Sequence, residues 1–395
     1  MRILAFFGGA ACVLVVLLDA FQTIILPRRA GGRLRLTRLF YISTWRPWAS
    51  IGGRLGNPRR REKTLSIYGP LSLILLLVVW AGSMLLGFGL LFFALGSPFA
   101  DIKRQSGLAT DLYVSGTTIF TLGLGDVTPQ NPWARALVIL ESGLGLGFLA
   151  VVMGYFPVLY TAFSRREVSI SLLDSRAGSP PTATELIRRH SYPGADQALS
   201  ILLREMERWS AELLESHISY PQLCYFRSQH TSQSWLAALT AILDASSLMI
   251  AGILKDEARQ AQLTFAIARH ALVDLTQVLS LRPLNNSPDR LPADRYEKVC
   301  KTLSRSGATI REDDRSFERL SELRALYEGY AEALSRYLYM PLPPWRAERP
   351  HKDDWLTVAR ERAKTGAASP PASDRGTGAD TVPAAISRFF DHHDF

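Results

Sequence analysis

Leu112-Tyr113-Val114-Ser115-Gly116-Thr117-Thr118-Ile119-Phe120-Thr121-Leu122-Gly123-Leu124-Gly125-Asp126-Val127-Thr128-Pro129 is the stretch on which the fold turns. Thr110 is placed to cap a helix and Asp111 suits its positive end. That helix has ~10 residues, about half of what crosses a bilayer. Beyond it, glycines alternate with bulky residues at 123 and 125. Glycine takes positive φ without a steric penalty, so this backbone can alternate between left- and right-handed conformations. Successive carbonyls then turn to one side. Non-helical backbone at membrane depth is tolerated only where protein buries it or where it lines a water-filled path. Set between two apolar runs, the stretch predicts a re-entrant loop.

The flanking runs are unambiguous. Leu71–Leu95 and Ser142–Ser164 contain no charged residue, and runs of ~20 apolar residues span the hydrocarbon core. Expected spans cover Leu65–Leu95 and Trp133–Phe163. A third covers Ile3–Leu26; it exceeds the roughly 7–15 apolar residues of a signal-peptide core and has no clear A-x-A site after it. An ordinary soluble protein, a collagen and a disordered chain are excluded. Three scattered cysteines, Cys12, Cys224 and Cys300, exclude a disulfide scaffold.

Charge orients the spans. The chain of 395 residues carries a net +9, and residues 27–64 alone hold eleven basic residues against Glu62. A basic patch can signal nucleic acid. A short basic loop between two spans instead marks the cytoplasmic side, so no nucleic-acid partner is expected. The N-terminus is then outside and residues 164–395 inside, in agreement with Arg165 and Arg166 closing the third span. Within the loop, Leu34, Leu36, Leu39, Phe40, Ile42, Trp45 and Trp48 intermingle with Arg33, Arg35, Arg38 and Arg46. That mixture predicts a helix lying in the membrane interface, with arginines reaching anionic lipid headgroups.

Thr121-Leu122-Gly123-Leu124-Gly125-Asp126 resembles the T-V-G-Y-G-D filter of potassium channels. Pro129 and Trp133-Ala134-Arg135 resemble the proline and W-G-R that open the inner helix of bacterial members, and Gly145 lies at that family's hinge-glycine spacing. The resemblance covers residues 65–163, with pore helix and filter at 109–126. It implies that backbone carbonyls from Thr121 to Gly125, with the Thr121 hydroxyl, replace the hydration shell of K+. That is the general logic of potassium-channel filters and not peculiar to this chain. One filter segment per chain supplies a quarter of a pore, so a homotetramer is implied, with four Asp126 carboxylates ringing the outer mouth. No cofactor is expected beyond the permeant ion. Leu122 in place of valine is conservative. Leu124 in place of tyrosine removes a hydroxyl that anchors the outer filter, and Thr117 stands where some members carry a glutamate. A weakly selective cation channel, and a non-conducting receptor or scaffold with a degenerate pore, are the alternatives.

The third span carries Gly143, Gly145, Gly147, Gly154 and Pro157. Gly145 is expected to hinge, Gly143 and Gly147 to permit close helix packing, and Pro157 to kink the helix. Phe156, Tyr160 or Phe163 is expected to form a closing constriction. Asp19 is expected to bond span two or an arginine of the basic loop, and Glu141 to brace the pore helix or the subunit interface.

After the linker 164–181, helical stripes such as Leu199, Leu202, Met206, Trp209 and Leu213 predict an α-helical cytoplasmic domain over 182–340. Residues 341–395 have a disorder composition, with a short helix at Ala384–Phe390. His190, His217, Cys224 and His230 lack metal-site spacing, and no nucleophile has a base beside it, so no enzyme is expected. The fold class expected is an all-α membrane protein: three transmembrane helices, a re-entrant pore helix and filter, and a helical cytoplasmic domain. Arginine outnumbers lysine 38 to 7, which points to a bacterial inner membrane.

Overall fold

The computed structural model describes residues 1–25, 35–101, 107–191, 197–230, 232–252, 258–285, 288–308, 310 and 314–347. The expected helix at 384–390, His392 and His393, and residues 26–34 of the basic loop lie outside them. The membrane part comprises α1 (Arg2–Ala20) with a π-helical turn (Phe21–Ile25), α2 (Leu36–Gly53), α3 (Pro58–Ala94), β1 (Phe99–Asp101), α4 (Leu108–Ile119), β2 (Val127–Pro129) and α5 (Pro132–Ala177). A helical domain follows: α6 (Ala183–His190), α7 (Ala198–Ser219), a 3₁₀ turn (Pro221–Tyr225), α8 (Trp235–Ile250), α9 (Ala258–Val278), α10 (Ala293–Arg305), α11 (Asp314–Ala325) and α12 (Glu328–Leu338). Three helices, over Arg2–Ile24, Pro58–Ala94 and Pro132–Ala177, are long and apolar enough to cross a membrane. This is an all-α, multi-pass membrane protein.

The two longest helices, α3 and α5, start on a sequence signal. Asn57 precedes Pro58 and accepts from Arg59 N at 2.9 Å. Asn131 precedes Pro132 and accepts from Ala134 N at 2.7 Å. In both, the side chain satisfies an orphan amide while proline fills a position that needs none. α5 then runs 46 residues, about 69 Å at 1.5 Å per residue, more than twice the hydrocarbon thickness of ~30 Å. It passes unbroken through Pro157 and most of the expected linker, ending only at Gly178, whose φ is 82°. Its lower part buries Arg166, Ile170, Leu173 and Ala177 against α6, α7 and α8. The pore module and the helical domain therefore share a helix, not a flexible connection.

Glycines set the helix spacing in the membrane part. A Cβ on Gly9 would sit 2.6 Å from Gly87 O, and one on Gly87 would sit 2.7 Å from Val13 Cγ2. α1 and α3 therefore meet backbone to backbone, as small residues permit. Asp19, at the end of α1, makes both bonds expected of it. Its Oδ2 accepts from Trp80 Nε1 at 2.9 Å, and its Oδ1 lies 3.9 Å from Arg35 Nε. It also accepts from Thr37 N at 3.0 Å, and so caps α2, whose own N-cap residue Arg35 makes no side-chain cap bond.

α2 differs from the interfacial helix expected. Trp45 is only 2% exposed, and its Nε1 donates to Tyr337 O of α12 at 3.0 Å. Tyr41 stacks on Tyr225 at 5.2 Å, and Trp45 meets Tyr68 at 4.8 Å and Tyr225 at 5.1 Å. The aromatic face is thus spent on α3 and the helical domain, because protein offers these rings both packing and hydrogen-bond partners. Leu39, Ile42 and Ile51 remain outside.

In the helical domain α8 is buried on every side, and six other helices surround it. Its one charge, Asp244, accepts from Arg290 NH2 at 2.6 Å and from Tyr327 OH at 2.5 Å. Trp345 lies under the guanidinium groups of Arg290 and Arg324, at 5.7 and 5.6 Å. Its carbonyl accepts from Thr184 Oγ1 at 2.7 Å. Residues up to 345 therefore belong to the domain, a few beyond the expected limit at 340.

Trp45→Ala is expected to lower stability by ~3–5 kcal/mol, the usual cost of emptying a buried tryptophan site. Trp48→Ala should cost less, since Trp48 is only half-buried. Denaturant titration in detergent measures both.

Candidate functional site

α4 is a helix of 12 residues held between α3 and α5. It begins after Gly107, so Thr110 lies within its first turn and does not cap it. Asp111 is buried there and accepts from Ser97 Oγ at 2.6 Å. Contact with both neighbours is at backbone distance. A Cβ on Gly89 of α3 would lie 2.6 Å from Leu112 Cδ2. One on Gly145 of α5 would lie 2.7 Å from Ile119 O. Gly145 thus seats the end of the pore helix against the inner helix, a packing duty that its spacing alone does not reveal. Gly143 and Gly147 have open space within this chain.

Ser115 Oγ sits between α3 and α5, 3.0 Å from Leu85 O and in hydrogen-bond contact with Glu141 Oε1. Glu141 is fully buried. It braces the pore helix within the subunit, one of the two positions expected of it.

The chain leaves α4 by wrapping over Thr117 O, which accepts from Leu122 N at 2.8 Å and Gly123 N at 3.4 Å. Backbone φ is then positive at Thr121 (56°), Gly123 (56°) and Gly125 (74°). The left-handed residues alternate with Leu122 and Leu124, the pattern that turns successive carbonyls to one side. Thr121 is the surprise: a β-branched residue at positive φ is strained, and only its place in this alternation accounts for it. Thr121 to Asp126 are all exposed in the single chain.

The outer end of this segment is tied three ways. Tyr113 OH of α4 donates to Asp126 Oδ2 at 2.8 Å. β2 pairs antiparallel with β1, with Phe99 opposite Pro129 and Asp101 opposite Val127. Arg135 Nε donates to Pro129 O at 3.3 Å. The ribbon was not anticipated from the sequence, since three-residue strands carry no periodicity. The Tyr113 bond was missed because its partners are thirteen positions apart. It places a phenol beside the segment from the helix, where Leu124 cannot supply one.

Of the three aromatics expected to form a constriction, the structure removes one. Phe163 is buried against Phe226, 5.6 Å between ring centroids, with the Arg166 guanidinium 5.0 Å over its ring. It faces its own subunit. Phe156 and Tyr160 are exposed and continue a stripe with Leu146, Leu149 and Met153, at 3,4,3,4 spacing along α5. Just below, Arg166 donates to Leu223 O at 3.0 Å and Phe226 O at 2.9 Å, and lies 3.2 Å from His217 Nε2. Burial, and then the neighbouring Arg166, hold His217 well below the usual histidine range.

Residues 75–161 match the family described as ion channel. This part of the chain is similar to an ion-channel domain. Two curated proteins are similar. The uncharacterized membrane protein YdjJ of Bacillus subtilis is 24% identical over 266 residues, which is 65% of this chain and 74% of that protein. Protein LctB of Geobacillus stearothermophilus is 38% identical over 87 residues, 20% of this chain and 64% of that protein. No solved structure matches. The first similarity extends well beyond the channel domain.

Two outcomes follow. Tyr113→Phe removes the bond to Asp126 and should loosen the segment from Thr121 to Asp126. Thermal melts should then show a smaller stabilisation by K+ over Na+ than in the unaltered protein; an unchanged difference would mark the bond as idle. His217 prefers its neutral form when folded, so its contribution is intact above the unfolded value of about 6.5 and is lost as pH falls below it. His217→Gln should flatten that acid loss of stability in pH-dependent melts.

Proposed function

We propose that the chain is one subunit of a potassium-selective channel, conducting K+ passively through backbone carbonyls between Thr121 and Gly125 in a homotetramer. The observation that carries this is the alternation of positive φ at Thr121, Gly123 and Gly125 at the foot of a short helix within an ion-channel domain. The carbonyl end of α4 adds partial negative charge beneath the filter, which favours a cation. Exposure of the filter and of the Leu146–Tyr160 stripe in a single chain supports further subunits closing around the axis. Asp126 then lies at the outer mouth.

The topology proposed places the basic residues 27–64 and the helical domain in the cytoplasm of a bacterial cell. Gating acts through α5. Because this helix continues into the domain and Arg166 clamps it to Leu223 and Phe226, a domain movement pulls the inner helix directly. Phe156 and Tyr160 supply the constriction, a hydrophobic gate that closes by dewetting.

A second reading, weak selectivity, is favoured by Leu124. Reversal potentials of the purified protein in planar bilayers under opposed K+ and Na+ gradients decide between them. A strongly K+-favouring potential is expected; a Na+ permeability equal to that of K+ would establish the weak filter, and absence of current under every condition a non-conducting scaffold. Phe156→Ala and Tyr160→Ala should raise basal current, whereas Phe163→Ala should act on stability.

A further inference from the structure

A cavity of about 1260 Å³ lies between the start of α3, the lower membrane part of α5 and the segment Phe226–Ser234. Its walls divide by chemistry. Leu73 and Ile74 of α3 and Phe156, Leu159, Tyr160 and Phe163 of α5 make one part apolar. Arg59, Arg61, Lys63 and Arg227 line the other. Among the described lining residues the only acid, Glu62, is already taken: Arg227 NH1 donates to its two oxygens at 2.9 and 2.7 Å. Arg59, Arg61 and Lys63 form no ion pair with a described residue. Arg61 Nε is buried without a hydrogen-bond partner, and a buried donor left unpaired is costly.

We propose that this groove binds a membrane phospholipid with an anionic headgroup, its phosphate on Arg59, Arg61 and Lys63 and an acyl chain along Leu73, Ile74 and Leu159. The inference rests on the membrane-spanning reading of α3 and α5 and deepens the lipid contact expected of the basic loop by assigning it a site. Four arguments select this occupant. The basic groups form a cluster with no answering acid. The apolar wall begins about three helical turns further along α3, from Lys63 to Leu73, the order in which a phospholipid presents head and tail. The volume exceeds the roughly 300–1,000 Å³ of pockets that hold small soluble ligands. A free phosphate would satisfy the arginines but leave the apolar wall at Leu73 and Ile74 uncovered. Arginine also matches a phosphate geometrically, offering two parallel donors.

The position has a consequence for gating. The occupant would touch Leu159 on the inner helix and, through Arg227, the loop that receives Arg166. Lipid in the groove would bias the same helix that the helical domain moves.

The test uses the full-length protein in nanodiscs and in detergent. Native mass spectrometry should show phosphatidylglycerol retained on each subunit and phosphatidylcholine lost. Arg59→Gln, Arg61→Gln and Lys63→Gln combined should weaken retention roughly a hundredfold, since each basic residue near an anionic lipid contributes a factor of about five. Ile74→Trp, which leaves the charges in place but narrows the apolar end, should weaken it as well. Equal retention of both lipids, or retention unaffected by either variant, would overturn the site. So would complete displacement by glycerol phosphate alone, which would mean a headgroup site. Density for a neighbouring subunit's helix or for this chain's own C-terminal segment in the groove would overturn it too. Since the readout is mass, a channel that fails to conduct leaves this result standing, and a failed lipid site leaves ion selectivity untouched.

Discussion

A stretch of backbone that is neither helix nor sheet is tolerated at membrane depth only where protein buries it or a water-filled path takes up its polar groups. That constraint organises the membrane half of this molecule. The segment from Thr121 to Asp126 hangs from Thr117 O, which takes two of its amides. Its far end is held by Tyr113, by the β1–β2 ribbon and by Arg135. The helix that carries it is itself wedged, with no room for a Cβ at Gly89 or Gly145. Each restraint is modest alone. Together they hold a β-branched residue, Thr121, at positive φ, where an unrestrained chain would relax.

The second organising feature is continuity. α5 is one helix from the end of the β1–β2 ribbon to the core of the helical domain, with no joint between the two parts. The contacts that flank this lever come from distant parts of the chain. Arg166 reaches Leu223 and Phe226, Arg227 reaches Glu62 and the end of α12, and α2 stacks its aromatic face on Tyr225 and Tyr337. The loop from Pro221 to Ser234 is the hub, joining α3, α5 and α12.

Much of the plan was legible beforehand, for identifiable reasons. Charge-free runs report membrane spans because lipid tolerates no unpaired charge. Gly123 and Gly125 report a special backbone because alternation with bulky residues serves no packing purpose. The helical stripe from Leu199 to Leu213 reports a core face. What was missed depends on partners remote in sequence. The aromatic residues of α2 have the composition of a membrane-interface helix, and only the presence of Tyr225 and Tyr337 redirects them inward. Phe163 reads as a pore-lining candidate by depth, and only Phe226 shows which way it points. Gly145 reads as a hinge by spacing, and only Ile119 O reveals how little room it has.

Local sequence thus determined the elements whose cause is local: three apolar helices, a short re-entrant helix, glycines free to turn carbonyls, asparagine–proline starts for α3 and α5, and a neutral helical domain. Tertiary structure decided which faces meet. Side-chain direction around a helix of 3.6 residues per turn is set by packing against neighbours, and those neighbours lie up to 292 positions away, as Trp45 and Tyr337 do. A period in the sequence marks that a face exists; the partner that covers it, and the groove left where none does, appear only when the chain is folded.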